Sequence, residues 1–406
     1  MDELDLKLLE HTAIRNVTKM DYKVWKELIV DKAIGECDFP DLKDLRKISK
    51  VADMYQLTDR SRTLINDALK SSDKVKEALD KYARIADAKN IKIIGRGSRY
   101  YPYIWSCLSG MPPVVFVRGD ISILTDIDVY GGVSMVGSRK PGRYALYATA
   151  EFSRKLSEKK VVIVSGMALG IDRKAHESCL DAGGKTLAVV PGGCDVIYPF
   201  QNVDLYDRIC AYGAVVSEMP PGQEVIKQYF PSRNRLISAL SDACLIMEAG
   251  EHSGTLHTAS FAAAQSRDVF VLPNSIYDEN SIGGLKLLRD GAEVLIDVDT
   301  VYENILQQVE YRRDRLCFEG DLYEQQEAFD INTLRQMLKV SPERLEEAEW
   351  KELICDEISE RPKNIDDICV CLGIPISFLS SLITELETEG RIADDRGKYV
   401  LTIHGR

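Results

Sequence analysis

Residues 133–170 read VSMVGSRKPGRYALYATAEFSRKLSEKKVVIVSGMALG, and this stretch decides the fold. It opens with an apolar run at Val133–Val136, passes through a segment of helical composition, and returns to a second apolar run at Val161–Val164. Both runs are short, and each leads directly into a glycine-containing turn. This pattern is typical of strands that are buried on both faces of a parallel sheet, with a helix between them.

The same alternation continues for another 130 residues or so. Five further apolar runs follow, at Thr186–Val190, Ala214–Val216, Ala243–Met247, Val269–Leu272 and Glu293–Ile296. Helical segments separate most of them, which predicts an α/β fold: a Rossmann-like doubly wound, mostly parallel sheet with helices on both sides. In such folds ligands bind at the carboxyl ends of the strands, so the turns that follow the strands are the first place to look for function.

The flanking segments have different patterns, and four regions are predicted. Residues 1–88 show short amphipathic helices and should form a helical domain, and residues 89–306 form the Rossmann-like domain. A polar stretch at 307–340 is typical of a linker, and 341–406 read as three helices and a hairpin, which indicates a winged-helix domain. The third of these helices, Pro375–Glu389, contains no Lys or Arg. A protein-contact or structural role is therefore favoured over duplex reading, although the latter is the usual role of such a helix.

Composition excludes several classes of protein. The chain has 406 residues, of which 45% are hydrophobic, so it should fold. Its net charge of -12 means that it cannot coat nucleic acid by bulk charge. Its apolar runs are too short to span a bilayer and its start is acidic, so we expect a cytoplasmic protein with no membrane partner. Ten cysteines occur without a CxxC pair or a histidine cluster, so we expect neither a metal site nor a cofactor.

Four turns carry candidate phosphate-binding residues. Glycine and serine turns that open helices expose backbone N–H groups, and arginine adds a planar donor for phosphate oxygens. The candidates are Gly137, Ser138 and Arg139 after the first strand; Ser165, Gly166 and Gly170 after the second; Phe230, Arg233, Asn234 and Arg235 at the start of a helix; and Ser253, Gly254 and Thr255 after the fifth strand.

The three arginines allow two interpretations. We predict that at least two of them face solvent and are available to a ligand phosphate, which would explain why Arg233 and Arg235 lie near a helix N-terminus, where positive charge is unfavourable. The alternative is that Arg233 or Arg235 is a buried partner of Glu218 or Glu248, in which case it stabilises the fold instead.

Two other features do not carry catalytic chemistry. Gly184-Lys185-Thr186 resembles the end of a P-loop, but Cys179 stands where the first glycine belongs and a strand follows. His176 lies one helical turn after Asp172, and we interpret it as a packing histidine because that is the commoner role.

Taken in order, these blocks resemble the DNA-processing protein A family (DprA, also called Smf). The resemblance spans roughly residues 90–300. It rests on the motifs Gly137-Ser138-Arg139, SGMALGID at 165–172 with Ala175-His176, GGCDVIYP at 192–199 with Asn202, Ser217-Glu218 with Pro220 and Gly222, FPSRNRLISALS at 230–241, Glu248-Ala249 with Ser253-Gly254-Thr255, and Gly291-Ala292.

The resemblance implies a protein that is not an enzyme. It implies that the chain binds single-stranded DNA, delivers RecA recombinase to the strand during natural transformation and recombination, and works as a homodimer. A competing class shares the sheet: nucleotide-binding proteins and phosphoribohydrolases, which place a catalytic glutamate shortly after a Gly-Thr pair. Here Thr258 occupies that place after Gly254-Thr255, so general acid–base chemistry has no evident residue there.

Overall fold

A computed structural model describes residues 3–18, 42, 45, 59–105, 108–318, 351, 354–355, 358, 365, 368, 376–389, 391–395 and 398–402. The chain forms two units, residues 1–309 and residues 310–406. The predicted boundaries at 88, 306 and 340 remain predictions, and most of the predicted linker lies outside the described residues.

The described helices are α1 (Glu3–Thr18), α2 (Asp59–Lys70), α3 (Ser72–Lys89), α4 (Ile123–Tyr130), α5 (Arg143–Glu158), α6 (Ile171–Asp181), α7 (Val203–Tyr212), α8 (Tyr229–Ala239), α9 (Thr255–Ala264), α10 (Ile282–Arg289), α11 (Val298–Phe318) and α12 (Ile376–Thr388). The strands are β1 (Lys92–Gly95), β2 (Val114–Gly119), β3 (Gly132–Gly137), β4 (Val162–Ser165), β5 (Thr186–Val189), β6 (Ala214–Ser217), β7 (Ala243–Glu248), β8 (Asp268–Val271), β9 (Glu293–Val294), β10 (Ile392–Asp395) and β11 (Lys398–Leu401).

Nine strands form one sheet in the order β1-β2-β6-β5-β4-β3-β7-β8-β9. The seven strands from β6 to β9 are parallel, and β1 and β2 join the β6 side as an antiparallel pair. The mostly parallel sheet is confirmed, and every predicted strand is present with its ends within two residues of the prediction. The chain reverses its winding direction between β3 and β7, and this is where an open parallel sheet leaves a crevice for a ligand.

Both faces of the sheet are covered, which explains why its central strands are mostly apolar on both faces. Successive residues of β4 alternate between two hydrophobic clusters, since Ile163 packs with Phe152 and Leu156 of α5, whereas Val164 packs on the other face with Leu236 of α8. This period-two alternation places α5, α6 and α11 on one face and α4, α8 and α9 on the other.

The N-terminal helices share a core with the sheet. Leu9 and Ile14 of α1 and Val75 of α3 belong to the same hydrophobic cluster as Phe116 of β2 and Val215 of β6. The helical segment therefore closes the β1-β2-β6 end of one sheet face. The predicted helix around Val24–Ile29 lies outside the described residues.

The second unit contains α12 and the antiparallel hairpin β10–β11. Leu379, Leu382 and Leu386 of α12 pack on Ile354 and Ile392. The acidic side of α12 has an intramolecular partner, because the ammonium of Lys351 lies 2.6 Å from Glu385 and 2.7 Å from Glu389. The helix and hairpin were predicted; the winged-helix assignment stays a prediction. None of the described helices is both long and apolar enough to cross a membrane.

His176 has the packing role predicted for it. It is fully buried on α6, and its Nδ1 lies 2.6 Å from the Thr186 hydroxyl, which itself donates to the Ile163 carbonyl oxygen. Because the hydroxyl proton is used on Ile163, Nδ1 donates to Thr186 and the ring stays neutral. Burial lowers the pKa of His176 to about 3, with the Arg233 charge acting in the same direction.

This histidine predicts a loss of stability in acid. Unfolded His176 takes up a proton near its ordinary pKa of 6.5, whereas folded His176 does so only near 3, so the free energy of unfolding should fall as pH drops through that window, by about 1.4 kcal/mol per pH unit at most. In His176→Gln the free energy of unfolding should depend less steeply on pH, because one fewer group takes up a proton on unfolding. Urea unfolding between about pH 5 and pH 7 measures both slopes. An unchanged slope in the variant would show that folded His176 binds a proton as readily as the unfolded chain does, so that burial does not lower its pKa.

Candidate functional site

Three of the four predicted turns meet at the carboxyl edge of the sheet. Gly170, before α6, has a φ of +82°, and a Cβ at this position would lie 2.4 Å from the Ser138 carbonyl oxygen and 2.8 Å from the carbonyl carbon of Arg139. The Ile171 N–H donates to that same oxygen. Only glycine fits, because both the φ angle and the close approach exclude a side chain. The turn after β4 is thereby held against the turn after β3.

Arg139 and Phe230 form the exposed part of this junction. Arg139 is exposed, and its guanidinium carbon lies 5.6 Å from the centre of the Phe230 ring at the start of α8. Tyr198, from the turn after β5, packs edge-on against the same ring with centroids 5.9 Å apart. Arg139 forms no ion pair among the described side chains. A cation beside an aromatic face is an arrangement that can accept a phosphate and a flat ring together.

Arg233 is the first correction to the prediction. It is only 5% exposed, and its Nη1 donates to the carbonyl oxygens of Gly166 at 2.7 Å and Val189 at 2.9 Å. Burial lowers its pKa to about 10, with the carboxylate of Asp172 opposing that shift. The guanidinium therefore ties α8 to the ends of β4 and β5, and it is unavailable to a ligand phosphate.

Arg233 also explains two of the candidate residues beside it. A Cβ on Gly166 would lie 1.8 Å from Arg233 Nη1, so the glycine makes room for the guanidinium and not for a ligand. The Gly166 N–H donates to Asp172 at 3.2 Å. Ser165 is fully buried, and its hydroxyl donates to the Met135 carbonyl oxygen at 2.6 Å. Gly166 and Ser165 were predicted to bind phosphate, and the structure shows both groups used internally.

Arg235 is the second correction, since it pairs with Glu218 as the alternative interpretation proposed. Its Nη2 donates to the Glu218 carboxylate, and the Glu218 side chain is 5% exposed. Arg15 of α1 interacts electrostatically with both residues. Burial lowers the pKa of Arg15, the negative charge of Glu218 raises it, and the positive charge of Arg235 lowers it. Of the three arginines predicted to bind phosphate, only Arg139 is exposed, so the prediction that at least two would face solvent is wrong.

The fourth turn adjoins the site through Glu248 at the end of β7. The Ser138 N–H donates to the Glu248 carbonyl oxygen, and the Gly142 N–H donates to its carboxylate, each at 2.9 Å. Burial raises the pKa of Glu248. Of the predicted residues here, Gly254 is exposed, Ser253 and Asn234 of α8 are half-buried, and Thr255 is buried with its N–H donating to Ser253 Oγ.

Sequence reasoning missed an exposed aromatic residue and an exposed basic residue on the segments that carry Tyr198 and Phe230. Phe200 is 79% exposed two residues beyond Tyr198, and Lys227 is exposed just before α8. Lys227 forms no ion pair with any described residue. The signal was present in the sequence as Tyr198-Pro199-Phe200, where aromatic residues stand in a turn between two strands, a position at which burial does not explain them.

The site is chemically suited to binding. The described residues contain no group of three or more His, Cys, Asp and Glu side chains placed to hold a metal ion. The titratable groups nearest the site, Asp172 and His176, are buried under it and are engaged with Arg233 and Thr186. What reaches the surface is an arginine, a lysine and three aromatic rings.

The two arginines should separate stability from binding. Arg233→Ala removes the donor from the buried Gly166 and Val189 carbonyl oxygens and a positive charge near the buried Asp172, and we expect the free energy of unfolding to fall by about 3 to 5 kcal/mol. Arg139→Ala removes an exposed side chain and should change the free energy of unfolding by less than about 0.5 kcal/mol. Urea denaturation of both variants measures the difference. Equal stability of the two would mean that Arg233 is not the internal link described here.

Residues 92–306 match the protein family described as DNA recombination-mediator protein A. The protein Smf of Synechocystis sp. is 33% identical over 318 residues, which cover 76% of this chain and 79% of Smf. The DNA processing protein DprA of Bacillus subtilis is 32% identical over 250 residues, covering 60% of this chain and 83% of that protein.

The solved structure of DNA processing protein A from Streptococcus pneumoniae resembles this fold with a TM-score of 0.55 and 28% sequence identity. It covers 70% of this chain and 95% of its own. The mixed α/β fold with a mostly parallel sheet is thus the one found in that protein. On the family match and these relatives, the chain belongs to the DNA recombination-mediator protein A (DprA/Smf) family.

Proposed function

We propose that this protein binds single-stranded DNA at the junction of Arg139 and Phe230. The observation that carries the proposal is the exposed guanidinium of Arg139 beside the Phe230 ring, with no carboxylate paired to it among the described residues. A phosphate can bind the guanidinium while a base stacks on Phe230 or Phe200. The family membership supports this choice of ligand, because the relatives are named as DNA-processing proteins.

Unpaired bases are the better fit than duplex DNA. Stacking requires a base whose flat face is free, and in a duplex both faces are covered by neighbouring bases. Duplex binding would need phosphate contacts over a wide basic surface, which a chain with a net charge of -12 does not offer. The acidic side chains Glu385 and Glu389 of α12 are also unsuited to entering a groove.

Fluorescence anisotropy with labelled oligonucleotides tests this proposal. We expect single strands to bind more tightly than duplexes and binding to weaken as salt rises. Arg139→Ala should cost about 1 to 2 kcal/mol of binding free energy and flatten the salt dependence, and Phe230→Ala should cost about 1 to 3 kcal/mol through lost stacking.

Arg208→Ala is the matched control, because Arg208 is also a partly exposed arginine but is paired with Asp181 at 2.7 Å. Its loss should leave the affinity unchanged. Equal affinity for single and double strands, or equal loss in the control, would contradict the proposed site.

The bound strand would be presented to RecA recombinase, as in natural transformation and recombination. The support is the family's description as a recombination mediator, since a mediator places recombinase on a strand that it already holds. The protein should therefore speed RecA filament formation on a single strand coated with single-strand-binding protein, and Arg139→Ala should lose this effect in proportion to its lost DNA affinity. Faster filament formation without DNA binding by this protein would argue for another mechanism.

We further propose that the active form is a homodimer. Three large apolar side chains are exposed beside the ends of β8 and β9, at the free edge of the sheet: Ile276 at 67%, Tyr277 at 90% and Ile296 at 78% exposure. An exposed apolar group next to an unpaired strand edge is suited to contact a second copy. Light scattering should give twice the chain mass, and Ile296→Asp should reduce it to the chain mass.

The proposed function involves no catalysis and no cofactor. The competing class, nucleotide-binding proteins and phosphoribohydrolases, would need a glutamate at the third position after the Gly254-Thr255 pair, and Thr258 occupies that position, buried in α9. Release of free base from a nucleoside monophosphate by the purified protein would favour the enzyme class.

A further inference from the structure

Beside the proposed DNA site runs an open groove between α5 and α6, with a volume of about 500 Å³. Its walls are Leu146, Tyr147 and Ala150 of α5 and Gly170, Arg173, Lys174 and Glu177 of α6. The Glu177 carboxylate is paired with Arg173, which leaves Lys174 as the unpaired charge of this wall among the described residues. The groove begins at the proposed site, because Gly170 is the residue that packs against the carbonyl groups of Ser138 and Arg139. A strand bound at Arg139 would therefore reach the groove without crossing another element.

The near end of the groove is basic and aromatic. Arg143 is exposed at the start of α5, and Tyr144 and Tyr147 follow on the same side of the helix, 52% and 73% exposed. Lys140 precedes the helix, and Lys174 faces it from α6.

These cations lack carboxylate partners, unlike the cations elsewhere on the two helices. Lys140, Arg143 and Lys174 form no ion pair among residues 59–105 and 108–318. In contrast, Arg154 and Lys155 at the far end of α5 pair with Glu151 at 3.1 Å and 3.0 Å, and Arg173 pairs with Glu177 at 2.7 Å. Unpaired positive charge is therefore concentrated at the near end, next to the candidate DNA site.

The far end of the groove has the opposite character. A second cavity of about 420 Å³ shares Tyr147 and Ala150 with the first and continues past Glu151, Glu158 and Asp181. Its arginine is already paired with two of these carboxylates. A phosphate would be repelled here, so a bound strand would end close to Tyr147.

We propose that the α5–α6 groove is a second contact site for the same DNA strand, extending from Arg139 over Arg143 and Tyr144 to Tyr147 and Lys174. Phosphates bind Arg143 and Lys174, and an unstacked base lies on the Tyr147 ring. The proposal rests on the proposed function, because it extends that site; it adds the direction in which the strand runs and the point at which it stops.

The experiment compares two lengths of oligothymidylate, about 4 and about 16 nucleotides, which span the usual range of single-strand sites. We expect the longer strand to bind more tightly to the parent protein. Tyr147→Ala and Lys174→Ala should each weaken the longer strand by roughly five- to tenfold and leave the shorter strand within about twofold, since only the longer strand reaches the groove. Lys155→Ala, on the same helix but ion-paired, is the control and should affect neither length.

Tyr147→Trp gives a direct signal of the stacking contact. Its added indole should be quenched by the longer strand and not by the shorter one. The proposal is overturned if Tyr147→Ala and Lys174→Ala bind both lengths as the parent does, or if they lose recombinase loading while keeping full DNA affinity, which would assign the groove to a protein partner.

These outcomes are distinct from failure of the proposed function. Arg139→Ala should weaken both lengths. If neither length binds the parent protein, the proposed DNA site is wrong. If both lengths bind, and Tyr147→Ala and Lys174→Ala keep the parent's preference for the longer strand, only the groove is excluded.

Discussion

The buried guanidinium of Arg233 is the interaction on which the rest of the site depends. It is almost fully buried, and it donates to the Gly166 carbonyl oxygen after β4 and to the Val189 carbonyl oxygen at the end of β5. These two hydrogen bonds link α8 to both strands, and the Asp172 carboxylate lies nearby. Carbonyl groups at strand ends would otherwise be left without donors where the helices begin. One side chain thus fixes the relative positions of the three segments that carry Tyr198, Phe230 and the turn facing Arg139.

This internal arginine separates the residues that build the site from those that can bind. Arg233 and Arg235 lie two residues apart on α8, yet one is enclosed by carbonyl groups and the other pairs with Glu218. Arg139 lies on the loop after β3 and forms no ion pair with a carboxylate of the described residues, although its charge partly offsets the rise that burial causes in the pKa of Asp172. The same residue type therefore stabilises the fold in two positions and is free for a phosphate in the third, and burial decides which.

The distribution of charge is what would allow an acidic protein to bind DNA at the proposed site. A net charge of -12 repels nucleic acid at long range. Close to the surface, however, what matters is whether each cation already has a partner, because screening limits the reach of the distant charges. Arg139, Lys140, Arg143 and Lys174 are unpaired among the described residues, whereas Arg154, Lys155 and Arg208 are paired. Local pairing, more than total charge, determines where a strand can bind.

The sequence by itself determined the sheet, because strands buried on both faces are mostly apolar without alternation, and glycine-containing turns follow several of them. Val133–Val136 and Val161–Val164 were recognisable for that reason, and so was the edge at which Ser138, Gly170 and Phe230 meet. The sequence also favoured a packing role for His176, which the buried contact with Thr186 bears out. Only the tertiary structure decided which arginines are buried and which are exposed. Whether Arg233 contacts a phosphate or the Gly166 carbonyl oxygen depends on contacts between segments 67 residues apart in the chain. The exposure of Tyr147 was equally out of reach, because it lies within a helix, and which side of a helix faces solvent depends on how the fold packs.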